Sequence, residues 1–379
     1  MKINKTKQKI TLALLGASLL GAPLHAMEVE IGGAYLGGFN AIKQRNYERR
    51  VQFDYAANVD VNFELNDQLS GIVQFQMSPG SGTLGFPGDG VVVTDLNIVY
   101  TDENYPVTIT AGSFDTPFGQ QTAHLSNNAD TLNNALIINP LLYSAFAGPM
   151  GTLNTLGVMS VYESQNGNIT IALTNGTDES AANPAGTLEV VGFVESKPLL
   201  NDKLTLGASY MKSDDKGNSD NNSSGFKADF SAWMIDAHAQ ITEKLTGKAY
   251  ISGLIYGDDD VATDDGVISW MTEGAYQLGN YQLSGRISGW HPKDNDGNGS
   301  SIDYNTAENS KGTLPNPGLA TQGMVNTDQD IIRYEVGLDY FFSERIALRS
   351  EVFWDNYSKA TAGGNTDVPG AVAFVNVLF

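Results

Sequence analysis

Hydrophobic and polar residues alternate over residues 51–65, which read VQFDYAANVDVNFEL. The odd positions carry only apolar and aromatic side chains, whereas the even positions carry mostly amides and carboxylates. Successive side chains of a strand point to opposite faces, so this pattern predicts a strand between an apolar and an aqueous medium. Strands of soluble sandwiches also alternate, but they usually run about 5 to 6 residues, whereas a tilted strand that crosses a bilayer needs roughly 9 to 11. The length therefore favours a membrane strand.

The same alternation recurs along the chain and predicts sixteen strands, at 28–39, 51–65, 68–78, 91–101, 106–114, 152–163, 168–175, 186–196, 203–213, 225–241, 245–256, 267–278, 281–291, 331–342, 346–357 and 370–379. The connections between them are alternately short, such as Asn66-Asp67, and long, such as residues 115–151. Closed barrels of bacterial outer membranes have an even number of strands, short periplasmic turns and longer outer loops. The sequence therefore predicts an all-β transmembrane antiparallel β-barrel of about sixteen strands.

Charged residues occupy one face of the last predicted strands. Arg333, Glu335 and Asp339 alternate with aromatic and aliphatic residues, and three charged residues of the next strand do the same. An arginine or lysine that faces lipid at the bilayer midplane costs about 2 to 4 kcal/mol. These faces are therefore expected to point into a wet lumen.

The first residues have the layout of a secretory signal peptide. Four lysines are followed by the apolar run 10–20, and cleavage is expected after Ala26, although Leu24 is a less usual residue near the cut. The apolar run is too short for a spanning helix, which needs about 20 residues. Length alone would also allow two soluble domains. We expect a signal peptide at residues 1–26 and one barrel domain at residues 27–379.

The exported chain has no cysteine and is strongly acidic. The net charge of −21 becomes −25 when the four lysines of the signal peptide are removed. This charge argues against nucleic acid as a partner and suggests a field that favours cations. Many of the acidic residues lie in the stretches 214–224, 257–266 and 292–303, whose composition is typical of solvated surface loops. The acidic charge is therefore equally consistent with exposed loops that bind nothing.

Two stretches resemble known signatures. The last strand ends on Phe379 and resembles the terminal signature by which bacterial outer-membrane proteins are recognised for barrel insertion. Residues 111–119, AGSFDTPFG, resemble the AG-x-F-x-x-PFG stretch of Gram-negative porins, including the phosphate-selective O and P type and siderophore-uptake porins. With the strand layout, the chain resembles the outer-membrane porin superfamily over its exported part. The resemblance implies contact with outer-membrane lipid and lipopolysaccharide, passage of small hydrophilic solutes, and a possible homotrimer.

In that superfamily the third extracellular loop folds into the barrel and narrows the pore. Here the third loop is residues 115–151, and its middle is apolar from Ala135 to Phe146. Exposed loops are normally polar, so folding inward against the wall would bury these side chains. Packing on a neighbouring subunit or capping the barrel would bury them equally well.

Ion selectivity in a wide barrel comes from fixed charges at its narrowest point. The candidate constriction and selectivity residues are Asp115, Asp130, Arg49, Arg286, Arg333, Arg349, Glu335 and Glu351. The three arginines at 286, 333 and 349 come from consecutive predicted strands and suggest a basic ladder facing acidic loop residues, the transverse field that the porin resemblance implies. The alternative is that these charges only neutralise one another. Phosphate-selective relatives rely on channel lysines, of which this chain has few.

Residues 294–299, DNDGNG, match the first half of a calcium loop. Asp294, Asp296 and Asn298 place oxygen ligands at alternate positions, but the twelfth position is Asn305 instead of a glutamate. Calcium bound to an outer loop and a solvated loop without metal both fit this half match. No other cofactor is indicated.

Catalytic motifs are weak. Beyond the signal peptide the chain has only His124, His238 and His291. His124-Leu125-Ser126 has the spacing of outer-membrane phospholipases, but those enzymes place the pair on a lipid-facing strand, whereas here it lies in a predicted loop. We therefore expect a non-enzymatic porin for passive diffusion of small hydrophilic solutes and ions. A surface adhesion or receptor barrel with a plugged lumen, and a channel specific for siderophores or sugars, are the alternatives.

Overall fold

The computed structural model describes residues 28–42, 50–79, 89–102, 104–119, 136, 154–174, 188–214, 229–257, 265–293, 330–358 and 367–379. Sixteen strands are present in these ranges: β1 (Glu28–Ile42), β2 (Arg50–Asn66), β3 (Leu69–Pro79), β4 (Asp89–Thr101), β5 (Val107–Asp115), β6 (Asn154–Glu163), β7 (Gly167–Thr174), β8 (Leu188–Ser196), β9 (Leu204–Asp214), β10 (Asp229–Gln240), β11 (Leu245–Gly257), β12 (Asp265–Leu278), β13 (Tyr281–Lys293), β14 (Ile331–Ser343), β15 (Ile346–Tyr357) and β16 (Asp367–Leu378). All sixteen predicted strands are confirmed. Over the same ranges, no helix is long and apolar enough to cross a membrane.

The strands close into one antiparallel barrel in sequence order. β1 pairs with β2 along its whole length and with β16 from Ala34↔Leu378 to Ile42↔Gly370. Each strand therefore lies between its sequence neighbours, and the short connections lie at the barrel end that also holds Glu28 and Phe379. Strand β16 begins three residues earlier than predicted. The carboxylate of Asp367 accepts hydrogen bonds from Trp354 Nε1 at 3.0 Å and Asn356 Nδ2 at 2.9 Å, which extends the ladder beyond Pro369.

The two faces of the barrel differ in chemistry. Large apolar side chains such as Val91, Leu283 and Val336 are about half exposed or more on the outer face. Charged and amide side chains such as Asn58 and Arg333 lie on the inner face and are buried. An exposed apolar belt of this extent is not tolerated in water. The barrel is therefore built to span a bilayer, and its strands, apart from the 8-residue β7, reach the roughly 9 to 11 residues that a tilted strand needs.

Outward-facing aromatic side chains lie near the strand ends. Tyr281 and Tyr340 are directly paired at the end with the short turns, with ring centroids 4.9 Å apart. Amphipathic rings favour the membrane interface, so this arrangement is typical of an interfacial girdle of aromatic residues. Phe114 and Trp290 also lie near strand ends but do not belong to this outer girdle. Both are buried on the inner face, because Trp290 shares the alternation of Arg286 on β13 and Phe114 that of the buried Thr110 on β5.

A glycine of the AGSFDTPFG stretch fixes the path of β5. Gly112 has a φ of 127°, a conformation that residues with a side chain rarely adopt. A Cβ at this position would lie 2.2 Å from the carbonyl oxygen of Leu96 on β4. The tight approach of β4 and β5 therefore requires glycine, and Phe114 beyond it turns toward the inside.

The short turn after β4 is organised by Asp102. Its Oδ1 accepts the backbone N–H of Asn104 at 2.8 Å and of Tyr105 at 3.0 Å, and Tyr100 donates its hydroxyl to Oδ2 at 3.1 Å. These bonds, led by the one from Asn104, hold the pKa of Asp102 below its usual value. The carboxylate replaces backbone partners in the turn, as aspartate often does.

Candidate functional site: the inner wall of the barrel

Four adjacent strands, β12 to β15, carry a set of buried inward-facing charges that we call the charged strip. Its members are Glu273, Arg286, Arg333, Glu335, Asp339, Arg349, Glu351 and Asp355. Alternation places each of them on the inner face, and the antiparallel register sets their neighbours. The register pairs Arg286 with both Glu273 and Glu335, Arg333 with Asp355, and Arg349 with Asp339.

Arg286 lies between two carboxylates. Its Nη2 donates to Glu335 Oε1 at 2.8 Å and its Nε to Glu335 Oε2 at 2.5 Å, which makes a bidentate pair. On the other side, Nη1 donates to Glu273 Oε2 at 3.2 Å. A guanidinium held by a parallel pair of charge-assisted hydrogen bonds is fixed in both position and orientation. The guanidinium of Arg286 is therefore held against the inner wall by its two carboxylate partners.

The other two arginines are held in the same way. Arg333 and Asp355 are both fully buried and share two hydrogen bonds, with Arg333 Nη2 2.8 Å from Asp355 Oδ2. The guanidinium of Arg333 also lies 5.7 Å from the centroid of the Phe353 ring, within cation–π range. Arg349 Nε donates to Asp339 Oδ2 at 3.0 Å.

Each arginine of the charged strip is therefore neutralised by a carboxylate. The sequence predicted that Arg286, Arg333 and Arg349 would lie on consecutive strands inside the barrel, and the structure places them there. Each has a carboxylate partner, which corresponds to the mutually neutralising alternative and not to a free basic ladder. Five carboxylates accompany three arginines, so the strip has an acidic excess.

Residues that follow β5 run along the inside of the barrel. Phe118 is 1% exposed and belongs to a buried cluster of inward-facing residues that includes Met211 and Met234. The N–H of Gly119 donates to Ser209 Oγ on β9 at 2.6 Å. A Cβ on Gly119 would lie 2.4 Å from the sulfur of Met234, so the close approach needs glycine. The start of the third loop is thus anchored to the inner wall.

Leu136, from the predicted apolar middle of the third loop, is 4% exposed and contacts the inner wall of β14. Its Cδ2 lies 2.7 Å from the position that a Cβ on Gly337 would occupy. β14 is eight strands from β6 in either direction around the barrel, so this wall is opposite the strands that the loop connects. This contact agrees with the expected inward fold of the loop.

Part of the inner wall is apolar, which the sequence did not predict. Tyr250, Met271, Trp290 and Tyr357 belong to a buried inward-facing cluster, in which Trp290 and Tyr357 lie near the strand ends that lead into long loops. The expectation of a wet lumen is therefore wrong for this sector. Both faces of β10 to β13 carry apolar residues, so alternation in the sequence does not reveal which face points inward.

The remaining predicted site residues are placed as follows. Glu351 is buried in the charged strip. Asp115 is exposed and shares the outward alternation of Ile109 and Ala111, so it does not lie with the strip, contrary to the expected lumen position. Arg49, Asp130 and the candidate calcium ligands Asp294, Asp296 and Asn298 lie outside the described residues. Sequence reasoning missed Glu273, because Met271 and Ala275 on its own face are apolar.

Known structures share the fold. An anion-selective porin from Comamonas acidovorans is 10% identical, with a TM-score of 0.63 over 93% of this chain and 100% of that one. OmpT of Vibrio cholerae, an outer-membrane protein in a trimer form, is 12% identical, with a TM-score of 0.62 over 94% and 100%. The outer-membrane channel DcaP of Acinetobacter baumannii is 11% identical, with a TM-score of 0.60 over 93% and 97%. No protein-family model and no curated protein matches the sequence.

Proposed function

We propose that this chain, which has the fold of the outer-membrane porins, resides in a bacterial outer membrane and admits small hydrophilic solutes and ions by passive diffusion. The observation that carries the proposal is the closed barrel with an apolar outer face and a charged inner strip. Charges on an inner wall give a barrel selectivity without any moving part. The porin and channel neighbours of the same fold support this role, and the trimer form of one neighbour supports a homotrimer.

The third loop is proposed to form the constriction. Its support is the position of Phe118 and Gly119 against β9 and β10, and of Leu136 against the opposite wall. A segment that crosses the lumen reduces the cross-section available to solutes. Deletion of residues 121–146 should therefore raise single-channel conductance, and unchanged conductance would contradict the constriction.

Cation preference is the proposed selectivity. The carboxylate excess of the charged strip supports it, even when Lys248 on the inner face of β11 is added to the three arginines. Because each arginine is bound by a carboxylate, the strip offers anions no uncommitted guanidinium. This differs from the anion selectivity named for the Comamonas acidovorans porin, whose fold the chain shares at 10% identity.

The test is conductance of the refolded protein in a planar bilayer under a potassium chloride gradient. Stable open steps with a reversal potential of the cation-selective sign are expected. An open channel with the opposite sign would contradict the charge argument while leaving the channel in place. A barrel that refolds and inserts but never conducts would contradict the channel.

A second candidate is a plugged barrel whose outer loops bind a partner. The burial of the inward-facing cluster around Trp290 and Tyr357 favours it, because a wide open lumen would leave such side chains accessible. The bilayer experiment separates the two, since a plugged barrel passes no current. A channel specific for siderophores or sugars would conduct, and its ion current would be blocked by its solute.

A further inference from the structure

Gly337 interrupts the charged strip. It lies on the inner face of β14 between Glu335 and Asp339, and the register places it beside Ser284 on β13 and Glu351 on β15. Its neighbours along the inner face are charged, whereas glycine offers no side chain. The strip therefore has a shallow gap at this position, bordered by ion-paired residues.

Leu136 occupies this gap. A Cβ on Gly337 would lie 2.7 Å from Leu136 Cδ2 and 2.7 Å from Ser284 Oγ, distances that real Cβ atoms do not reach. Any side chain at residue 337 would force the leucine to move. Gly285, on the outer face of the neighbouring strand β13, has no such neighbour, since its nearest atom would be the carbonyl oxygen of Glu335 at 3.7 Å.

The ion-paired arginines of the charged strip offer a suitable surface for an apolar side chain. The bidentate bonds of Arg286 with Glu335 direct its charged atoms toward the carboxylate. The methylene stem of an arginine is itself apolar and packs well against aliphatic groups. A leucine therefore contacts this wall without leaving a charge deprived of its partner.

We propose that Leu136 and Gly337 form the seat that fixes the third loop to the opposite wall of the lumen and thereby sets the width of the pore. Both are positioning residues, because each acts on the pore through the path of the loop. The effect on pore width rests on the proposed channel function. The seat itself does not, so it is tested separately.

The seat is tested by disulfide cross-linking. Because the chain contains no cysteine, any disulfide comes from the introduced pair. The double variant Leu136→Cys/Gly337→Cys is refolded in vesicles, oxidised, and analysed by thiol counting and by mass spectrometry of the linked peptides. We expect an intramolecular disulfide. The matched control Leu136→Cys/Gly285→Cys should stay reduced, because Gly285 faces the outside of the barrel. Equal yields in the two variants, or none in the first, would overturn the seat.

The effect on the pore is tested by conductance of Gly337→Val against Gly285→Val. We expect higher single-channel conductance for Gly337→Val alone, and no further rise when Leu136→Ala is combined with it. A disulfide at 136–337 together with unchanged conductance in Gly337→Val would overturn the role in pore width. If wild type does not conduct but the disulfide forms, the channel proposal fails while the seat stands.

Discussion

Replacement of Asp355 by asparagine should leave Arg333 as a buried charge without its partner. Both side chains are fully buried in the structure. Asparagine retains one acceptor oxygen but cannot accept the two parallel hydrogen bonds that Arg333 Nε and Nη2 now donate. The carboxylate of Glu335, two residues from Arg333 on the same face, is already bound to Arg286.

The size of the effect follows from this burial. Removal of one partner of a buried ion pair typically costs about 3 to 5 kcal/mol, because the remaining charge is not solvated. That corresponds to roughly two to four powers of ten in the unfolding equilibrium. The assay is urea unfolding of the barrel in lipid vesicles, monitored by tryptophan fluorescence. The free energies of unfolding are compared between variants that show the same dependence on urea concentration.

Two further variants make the result interpretable. The exposed carboxylate of Glu163 provides the control, since Glu163→Gln should change stability by less than about 1 kcal/mol. The double variant Asp355→Asn/Arg333→Gln removes both charges and should recover much of the loss. If Asp355→Asn costs no more than Glu163→Gln, or if the double variant is as unstable as the sum of its single changes, the buried-pair argument is refuted. Asp355→Asn should also move the reversal potential toward anion selectivity.

Three other outcomes are expected. Gly112→Ala should lower the free energy of unfolding by about 1 to 3 kcal/mol, because Gly112 has a positive φ and the new Cβ would clash with the carbonyl oxygen of Leu96. Gly192→Ala should cause no such loss, because a Cβ at residue 192 would have no atom within 4 Å. Equal losses in the two variants would contradict this reasoning. Asp102 has a lowered pKa in the folded state, so its contribution to stability is present above the pKa of the unfolded chain and is lost as pH falls through the folded value. The protection of the two amides that it binds, measured as hydrogen exchange relative to the intrinsic rate at each pH, should fall in acid and should be low at every pH in Asp102→Ala. His291→Leu removes the acceptor of the Trp270 indole N–H, now at 2.9 Å, and should shift tryptophan emission, while His291→Gln, which retains an acceptor, should shift it less.

Specific parts of the fold could be predicted from the sequence because strand formation has a local signature. The alternation in β2, β14 and β15 identifies strands and also assigns their faces, since one face is apolar and the other charged. The turn residues at Asn66-Asp67 and Gly279 fix where the chain reverses. Sixteen such segments with alternating connection lengths together predict closure into a barrel, which the structure shows.

The candidate site was predictable only in part. Arg286, Arg333 and Arg349 were expected inside the barrel, because an arginine that faces lipid at the bilayer midplane is costly. Whether they formed a free ladder or neutralised pairs depends on which carboxylate lies opposite each arginine. That is a property of register, and a shift of one residue would place every side chain on the other face.

The sequence by itself thus determined the strands, their order, and the apolar and polar faces wherever the two differ clearly. Only the tertiary structure decided that Glu273 and Glu335 bind Arg286, that Trp290 faces inward, and that Leu136 lies in the gap at Gly337. The physical reason is the range of the interactions. Alternation is imposed by the backbone of each strand, whereas these contacts join residues far apart in the chain and form only once the barrel has closed.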